Sequence, residues 1–356
     1  AALRAAFKNF SVLLKASIDC MTFIIQSLQF YPYRLTFREP FPTALGVLKY
    51  REGFVIEICD RQNTKKFTGF GESAPLAGFG MESLTETSEI LEEAQRSLVN
   101  LKINDLNDIE NLLGIYNRTP AARHGLELAL IDLLAKCQNL SLSRLIANYF
   151  HSEVRDHVLV NGVIGAIAPE LAAIKARELL EQGFDCLKVK VGTQDFDSDF
   201  LRVSSVRSQV GDNIKIRIDA NQGWSVPEAI ANLKKLEPLQ IEYVEQPVIA
   251  ADLSGMAIVR RSQPILVAAD ESVNSLAQLQ QVIKAQAADI IVLKPMAMGG
   301  IITAYRAAMV AFKSGLDVVI TTTIDGAIAR QAAWDLAATL PITRACGLAT
   351  GSLLKE

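Results

Sequence analysis

From about Val158 onward the chain alternates short apolar runs with amphipathic stretches, and this regularity admits few folds. The runs at 158–162, 185–190, 214–219, 241–245, 265–269, 289–294 and 317–322 read as buried strands. The segments between them read as helices over 168–182, 197–210, 227–236, 253–262, 276–285, 301–314 and 328–340. Strands separated by single helices must lie parallel, with right-handed crossovers. An open doubly wound sheet would often carry a glycine fingerprint after its first strand, but Asn161-Gly-Val-Ile-Gly165 lacks that spacing. The expected fold class is therefore α/β, a (β/α)7β-type TIM-like barrel with one irregular unit.

Five consecutive units place charge at the same strand end. Ile214–Ile218 delivers Asp219 and Asn221 to a turn at Gln222–Gly223. Ile241-Glu-Tyr-Val-Glu245 ends in a carboxylate, Pro264–Asp270 in Asp270 with Glu271 beside it, and Asp289–Lys294 in a lysine. Upstream, Cys186-Leu-Lys188-Val-Lys190 ends in two lysines. From Asp219 to Glu245, Asp270 and Lys294 the steps are 26, 25 and 24 residues, one β-plus-α unit each. In barrels, active sites form at the C-terminal ends of the strands.

Three carboxylates converging there would repel unless a cation joined them. Asp219, Glu245 and Asp270 are hard oxygen donors with no His or Cys among them, which suits Mg²⁺, with Mn²⁺ as a substitute, and disfavours zinc. Taken singly, each acid could instead cap the helix that follows it. Lys188 and Lys190 are two residues apart on a strand, so both face one side. Two ammonium groups side by side, near a dication, disfavour each other's protonation, and a lysine must lose its proton before it can act as a base. Lys294 arrives from across the barrel. A lysine that flanks a strand can also be a solvated gatekeeper, but three at the acid-bearing end suggest proton abstraction next to a metal-held carboxylate, with the metal stabilising the enediolate.

The N-terminal third has a different pattern. Phe23–Tyr33, Val47–Tyr50 and Phe54–Asp60 have strand composition and Arg61–Lys65 reads as a hairpin turn; Phe41–Gly46 reads as a loop and Gly69–Gly80 as a longer one, either a lid or a plain surface connection. Helical patterns follow at 83–101, 105–114 and 119–137. The expected organisation is an α+β capping domain over 21–135 and a catalytic barrel over 136–340, with 341–356 packing back on the cap. Residues 1–20 carry Leu3, Phe7, Phe10 and Leu14 at helical spacing; Met21 reads as a natural start and 1–20 as an upstream extension, a transit-like peptide being the alternative.

Composition excludes several classes. Net charge is −3 and no basic tract interleaves with aromatics, so nucleic acid is not an expected partner. No apolar run has the roughly 18 residues of a membrane span. The five scattered cysteines, odd in number, read as thiols of a reducing compartment, which points to the cytoplasm. His124, His151 and His157 lie away from the charged ends and read as structural, and Trp224 and Trp334 as packing or pocket wall. The partner implied is a small-molecule carboxylate.

Lys188-Val-Lys190, Asp219-Ala-Asn221, Glu245-Gln-Pro247, Asp270-Glu-Ser272 and Lys294-Pro295 resemble the active site of the enolase superfamily, muconate-lactonizing subgroup. The resemblance covers about residues 21–356. Thr321–Trp334 and Gly347-Leu-Ala-Thr350-Gly are most similar to the o-succinylbenzoate synthase family, which dehydrates a cyclohexadiene carboxylate to an aromatic precursor of menaquinone. Dipeptide epimerases of the subgroup tend to carry an Asp-x-Asp near the last barrel strand to hold a substrate ammonium, and Leu348-Ala-Thr350 has no acid.

The resemblance implies that Lys190 removes the α-proton and then protonates the departing hydroxyl, that Lys188 tunes Lys190, and that Lys294 stabilises the anion from the opposite face. It implies Mg²⁺ at Asp219, Glu245 and Asp270. Asn221 and Arg217 would orient substrate or base, Arg217 being equally readable as a buried ion-pair partner. Thr321 and Thr323 would bind the succinyl tail, though such residues also cap helices. Asp325 and Glu271 read as supporting groups or helix caps rather than as ligands. Racemisation of N-acylamino acids or epimerisation of dipeptides needs the same two lysines and is the alternative activity. Cycloisomerisation of a muconate-like lactone is a third reading, and a catalytically silent binding protein on this fold a fourth.

Overall fold

The computed structural model describes residues 22–43, 46–60, 67–76, 79–192 and 195–355. The readings of 1–20, Met21 and the 61–65 turn lie outside the described residues.

The cap is built on a long antiparallel hairpin, β1 (Phe23–Thr43) with β2 (Gly46–Asp60), extended by β3 (Thr68–Ser73); the two-residue β4 (Lys102–Ile103) pairs with the start of β1. Phe23, Ile25, Leu28, Ile56 and Ile58 alternate onto one face. That face is covered by α1 (Leu84–Ser97), α2 (Leu106–Leu113) and α3 (Pro120–Cys137), through Leu91, Ile109, Leu126 and Leu130. The stretches expected as loops at 41–46 and 69–80 are strand in part: β1 runs on through Thr43, Phe41 pairing with Leu48, and 69–73 belongs to β3, Phe54 pairing with Ser73, while 74–76 and 79–80 are outside any strand. Glycine lowered their apparent strand propensity, and cross-strand pairing overrode it.

After α4 (Leu142–Phe150) comes the barrel. Its strands are β5 (Gly162–Ile164), β6 (Cys186–Lys190), β7 (Lys215–Asp219), β8 (Ile241–Glu245), β9 (Leu266–Ala269), β10 (Ile290–Leu293) and β11 (Asp317–Ile320), all parallel and in sequence order. The first lies later than the 158–162 expected, because Val160 bridges to Cys346 and pairing with β6 begins only at Gly162. The helices between are α5 (Pro169–Glu181), α6 (Phe196–Val210), α7 (Val226–Leu236), α8 (Leu253–Ser262), α9 (Leu276–Ala285), α10 (Ile301–Lys313) and α11 (Ala327–Ala338).

Closure comes from the tail. Cys346 pairs in parallel with Val160, and Gly347 with Thr321, so 346–347 acts as a short eighth strand between β11 and β5. The chain then returns to the cap, where β12 (Leu354–Lys355) pairs with Phe37 and Thr36 of β1. The fold is thus a TIM-like barrel with an N-terminal α+β cap.

Strand parity sorts the side chains. Leu187, Val189, Ile216, Ile218, Val244, Val267, Ile291 and Ile320 pack outward against the helices. Tyr243, Ala268, Ile290, Val292 and Val319 fill the barrel interior. The residues that continue this inner set toward the C-terminal ends are Lys190, Asp219, Glu245, Asp270, Lys294 and Thr321. No helix among the described residues is long and apolar enough to cross a membrane, and Cys59, Cys186 and Cys346 are free thiols.

Candidate active site

Register carries the charged ends to one depth: Lys190 is opposite Asp219, and Asp219 opposite Glu245. The helices that follow the acids are capped by other residues, namely Ser225, Asp252 and Ser275. Asp219, Glu245 and Asp270 are therefore not spent on capping, although all three are at least 97% buried.

Lysines meet them directly. Lys188 Nζ donates to Glu245 Oε1 at 2.9 Å and lies 3.1 Å from Asp219 Oδ2. Lys190 Nζ donates to Asp219 Oδ2 at 2.6 Å and to Asn221 Oδ1 at 2.5 Å. Lys294, four strands round from β6 and so on the opposite wall, donates to Asp270. Asn221 in turn donates through Nδ2 to Glu271 Oε1 at 3.1 Å, so it ties the lysine side of the mouth to the acid side.

Burial raises the acids, and their partners decide the outcome. Burial pushes Asp219 up, but Lys190 and Lys188 outweigh it and hold the carboxyl well below the ordinary range. Glu245 is raised to about 7, first by burial and then by the charge of Asp219. Asp270 and Glu271 are raised as well, mainly by burial. Burial disfavours the Lys188 ammonium, yet Glu245 and Asp219 overcome it and push its pKa well up.

The donor set fits a hard dication. Among the described residues no three acidic or imidazole groups are drawn round one point, because lysines hold them. The three carboxylates nevertheless lie within electrostatic reach of one another: Asp219 and Asp270 both raise Glu245. A proton on Glu245 relieves that repulsion, and a dication bound by all-oxygen ligands would relieve it in the proton's place.

Arg217 is not at the mouth. It is fully buried two residues below Asp219, with Nε on Glu242 Oε2 at 2.6 Å and Nη1 on the Ala345 carbonyl at 2.6 Å, and it lies over the Tyr243 ring. Of its two sequence readings, the structure has the ion pair. The register slips by one residue between Ile216/Ile241 and Ile218/Val244, a bulge that turns both Glu242 and Tyr243 toward Arg217. Arg344 of the closing segment completes this lower network through Glu242 and Asp317.

Thr321 and Thr323 reach the mouth with engaged hydroxyls. Thr321 Oγ1 donates to the Gly347 carbonyl at 2.9 Å, where the barrel closes, and Thr323 donates to Asp325. Thr322 shares a 2.8 Å hydrogen bond with Thr350. His124 lies in the cap with Nδ1 on the Glu72 carbonyl. Trp224 packs in the core between strands and helices, and Trp334 against that core.

Sequence reasoning missed the aromatic over Lys294. Phe79, near the end of the glycine-bearing stretch 69–80, places its ring 4.4 Å from the Lys294 ammonium. Met296 was also missed: its sulfur accepts from the Ala74 N–H of the cap and lies 3.8 Å from Thr323 Oγ1.

Comparison with known proteins agrees with this architecture. Residues 171–352 match the family model "Enolase C-terminal domain-like", and residues 25–133 match "MenC, N-terminal domain". The hydrophobic dipeptide epimerase of Enterococcus faecalis is 31% identical over 81% of this chain and 79% of its own. The o-succinylbenzoate synthase of Thermobifida fusca is 39% identical over 56% of this chain and 62% of its own. The structure of the Enterococcus faecalis dipeptide epimerase complexed with Mg and the dipeptide L-Leu-L-Tyr superposes with a TM-score of 0.86 at 29% identity, covering 94% of this chain and 92% of that one. A buried acid triad faced by lysines on opposite barrel walls, within a family match across both cap and barrel, assigns this chain to the enolase superfamily of enzymes.

Proposed function

We propose that the chain is an o-succinylbenzoate synthase, a hydro-lyase that removes water from 2-succinyl-6-hydroxy-2,4-cyclohexadiene-1-carboxylate. The observation that carries this reading is the wall after the last barrel strand. Thr321, Thr322, Thr323 and Thr350 contribute hydroxyls there, and the acid this loop itself carries, Asp325, is buried, accepts from Thr323, and has Arg51 and Arg330 in electrostatic reach. A substrate ammonium would find no free carboxylate there, whereas a succinyl tail would meet a neutral wall with no exposed negative charge to repel it. The match of the cap to the MenC N-terminal model supports the same assignment.

Asp219, Glu245 and Asp270 would hold Mg²⁺, with Mn²⁺ as a substitute, by likeness to the magnesium-bound epimerase. When bound, the ion would supply positive charge to the carboxylate oxygens on which charge develops. Lys190, held between Asp219 and Asn221, takes the α-proton. Lys188, fixed by Glu245 and Asp219, adds a second positive charge beside it. The proton on Lys190 then leaves with the ring hydroxyl as water, from the same face. Lys294 lies against the opposite face and stabilises the anion, its position fixed by Asp270 and Phe79.

Racemisation of N-acylamino acids or epimerisation of dipeptides is the second reading, favoured by the breadth of the match to the epimerases. Turnover of the cyclohexadiene carboxylate by wild type and Lys190→Ala, with Mg²⁺ and with chelator, separates the two. Metal-dependent dehydration lost in the variant is expected. Absence of dehydration in well-folded, metal-loaded wild type would refute the lyase reading, and α-proton exchange into N-succinylamino acids or dipeptides in heavy water would then favour the isomerase.

A further inference from the structure

The barrel helices are not started in one way. Helices α6, α7, α8 and α9 are capped by their own Asp195, Ser225, Asp252 and Ser275. Helices α10 and α11 begin at Gly300 and Gly326, which have no side chain to offer. Two carboxylates of the cap perform that role. Glu127 of α3 accepts from the Ile302 N–H at 3.0 Å, and Glu72 of β3 accepts from Gly326 N–H at 2.6 Å and Ala329 N–H at 3.0 Å. Both glutamates are at least 99% buried. Each glycine is required by the approach of its glutamate: a Cβ on Gly326 would lie 2.8 Å from Glu72 Oε1, and one on Gly300 would overlap the Glu127 carboxylate.

The loops before these two helices are the ones that carry Lys294 and Thr321–Thr323. We propose that Glu72 and Glu127 are positioning residues for the reaction, helix caps supplied by the cap domain that set where the Lys294 loop and the threonine loop stand at the mouth. This rests on the reading that Lys294 and the threonines face the substrate.

Other contacts make the tie rigid. Tyr33 donates to Glu72 Oε1 at 2.6 Å, so that carboxylate has three donors and no room to turn. Arg51 Nε donates to the Ile324 carbonyl at 3.3 Å while its other nitrogens hold Ala74 and Pro75, which spans cap and loop with one side chain. Ile324 sits at φ +59°, a conformation a β-branched residue adopts only when its surroundings impose it. Arg123 pairs with Glu127 at 3.2 Å and donates to the Gly299 carbonyl, so it clamps the other loop. The barrel mouth therefore takes its final shape from a docked cap.

The test uses Glu72→Gln, Glu127→Gln, Glu72→Ala and the double variant Glu72→Ala/Gly326→Ser in the full chain. Glutamine keeps the shape but turns an amide N–H toward one of the donors the carboxylate accepted from. Gly326 has φ −69° and ψ −175°, the extended conformation a serine cap adopts, so the double variant restarts α11 without the Glu72 link to the cap. Activity is read per folded molecule, counted by near-ultraviolet circular dichroism. Glu72→Gln is expected to raise KM tenfold or more, and Glu127→Gln to lower kcat by a similar factor through Lys294. The double variant is expected to regain melting temperature relative to Glu72→Ala but not its KM. Wild-type KM in Glu72→Gln or in the double variant would overturn the proposal and leave Glu72 a structural cap.

Amide hydrogen exchange gives a readout independent of substrate. Faster exchange confined to 321–329 in Glu72→Gln and to 295–302 in Glu127→Gln sustains the proposal, and unchanged exchange there refutes it. If wild type fails to dehydrate the cyclohexadiene carboxylate, the lyase reading falls, while the exchange result still decides this one.

Discussion

His124 makes the cap–barrel junction sensitive to acid. It is about 99% buried on α3, with Nδ1 on the carbonyl of Glu72, the residue whose side chain starts α11. Burial lowers its pKa to about 4 from an ordinary 6.5, the Glu72 contacts opposing the shift only partly. The folded protein thus keeps a neutral imidazole through a range in which the unfolded chain binds a proton. Stability contributed by His124 is complete above pH 6.5 and is lost as pH falls toward 4, where it levels off. The full loss is about 3 kcal/mol, of which about 2 kcal/mol should separate pH 7 from pH 5. Urea unfolding of wild type and His124→Asn at those two pH values isolates the contribution, because asparagine retains a donor for the Glu72 carbonyl but does not titrate. The pH-dependent part of the difference should be about 2 kcal/mol. Equal pH dependence in the two proteins would refute the assignment of a neutral, buried imidazole at this junction.

Further outcomes follow from the site and its supports. Lys190→Ala should lower kcat by about 10³-fold, the scale of a positioned general base, with Mg²⁺ binding by calorimetry retained. Chelation should abolish turnover, and added Mg²⁺ should restore it. Arg217→Met should cost about 3 kcal/mol in urea unfolding, since it removes one partner of a buried ion pair, while kcat/KM per folded molecule changes less than threefold. Gly300→Ala should destabilise by about 2–4 kcal/mol, because the residue sits at φ +146° and the new methyl meets Glu127.

The barrel was legible because each unit repeats one pattern, and α8 and α9 fall at the expected residues. Alternation also announced that Lys188, Lys190, Asp219, Glu245, Asp270 and Lys294 share a side. The cap was less legible: strands such as Thr68–Ser73 contain glycines where α3 packs close, and single-strand patterning cannot see that partner. Glu72 and Glu127 gave no local sign at all. Their function lies in contacts to residues 175–257 positions away, and the cue that existed, Gly300 and Gly326 opening helices without a capping side chain, is visible only once those helix starts are known.

Arg217 shows where parity stops being informative. It has the same inward face as Asp219 and is in register with Lys188. Period-2 alternation says which side of a sheet a residue faces, not how far along the barrel axis its functional atoms end up. Two residues correspond to roughly 6.5 Å of strand, about the reach of a long side chain. Lys188 spends that length climbing to Asp219 and Glu245, while Arg217 turns to Glu242 and the closing segment. What sends it there is the bulge in β8, which brings a carboxylate of the wrong parity inward, and Arg344 opposite. The two charge networks are thus neighbours on the same strands with different tasks. The lower one closes a barrel whose eighth strand is only 346–347 and leaves Arg217 fully buried; the upper one gathers carboxylates whose repulsion a proton or a dication must relieve. Replacing Glu242 by Gln should therefore weaken folding without altering the Mg²⁺ affinity of the mouth. A tenfold or greater change in Mg²⁺ affinity, measured by calorimetry, would show that the two networks are coupled through β8.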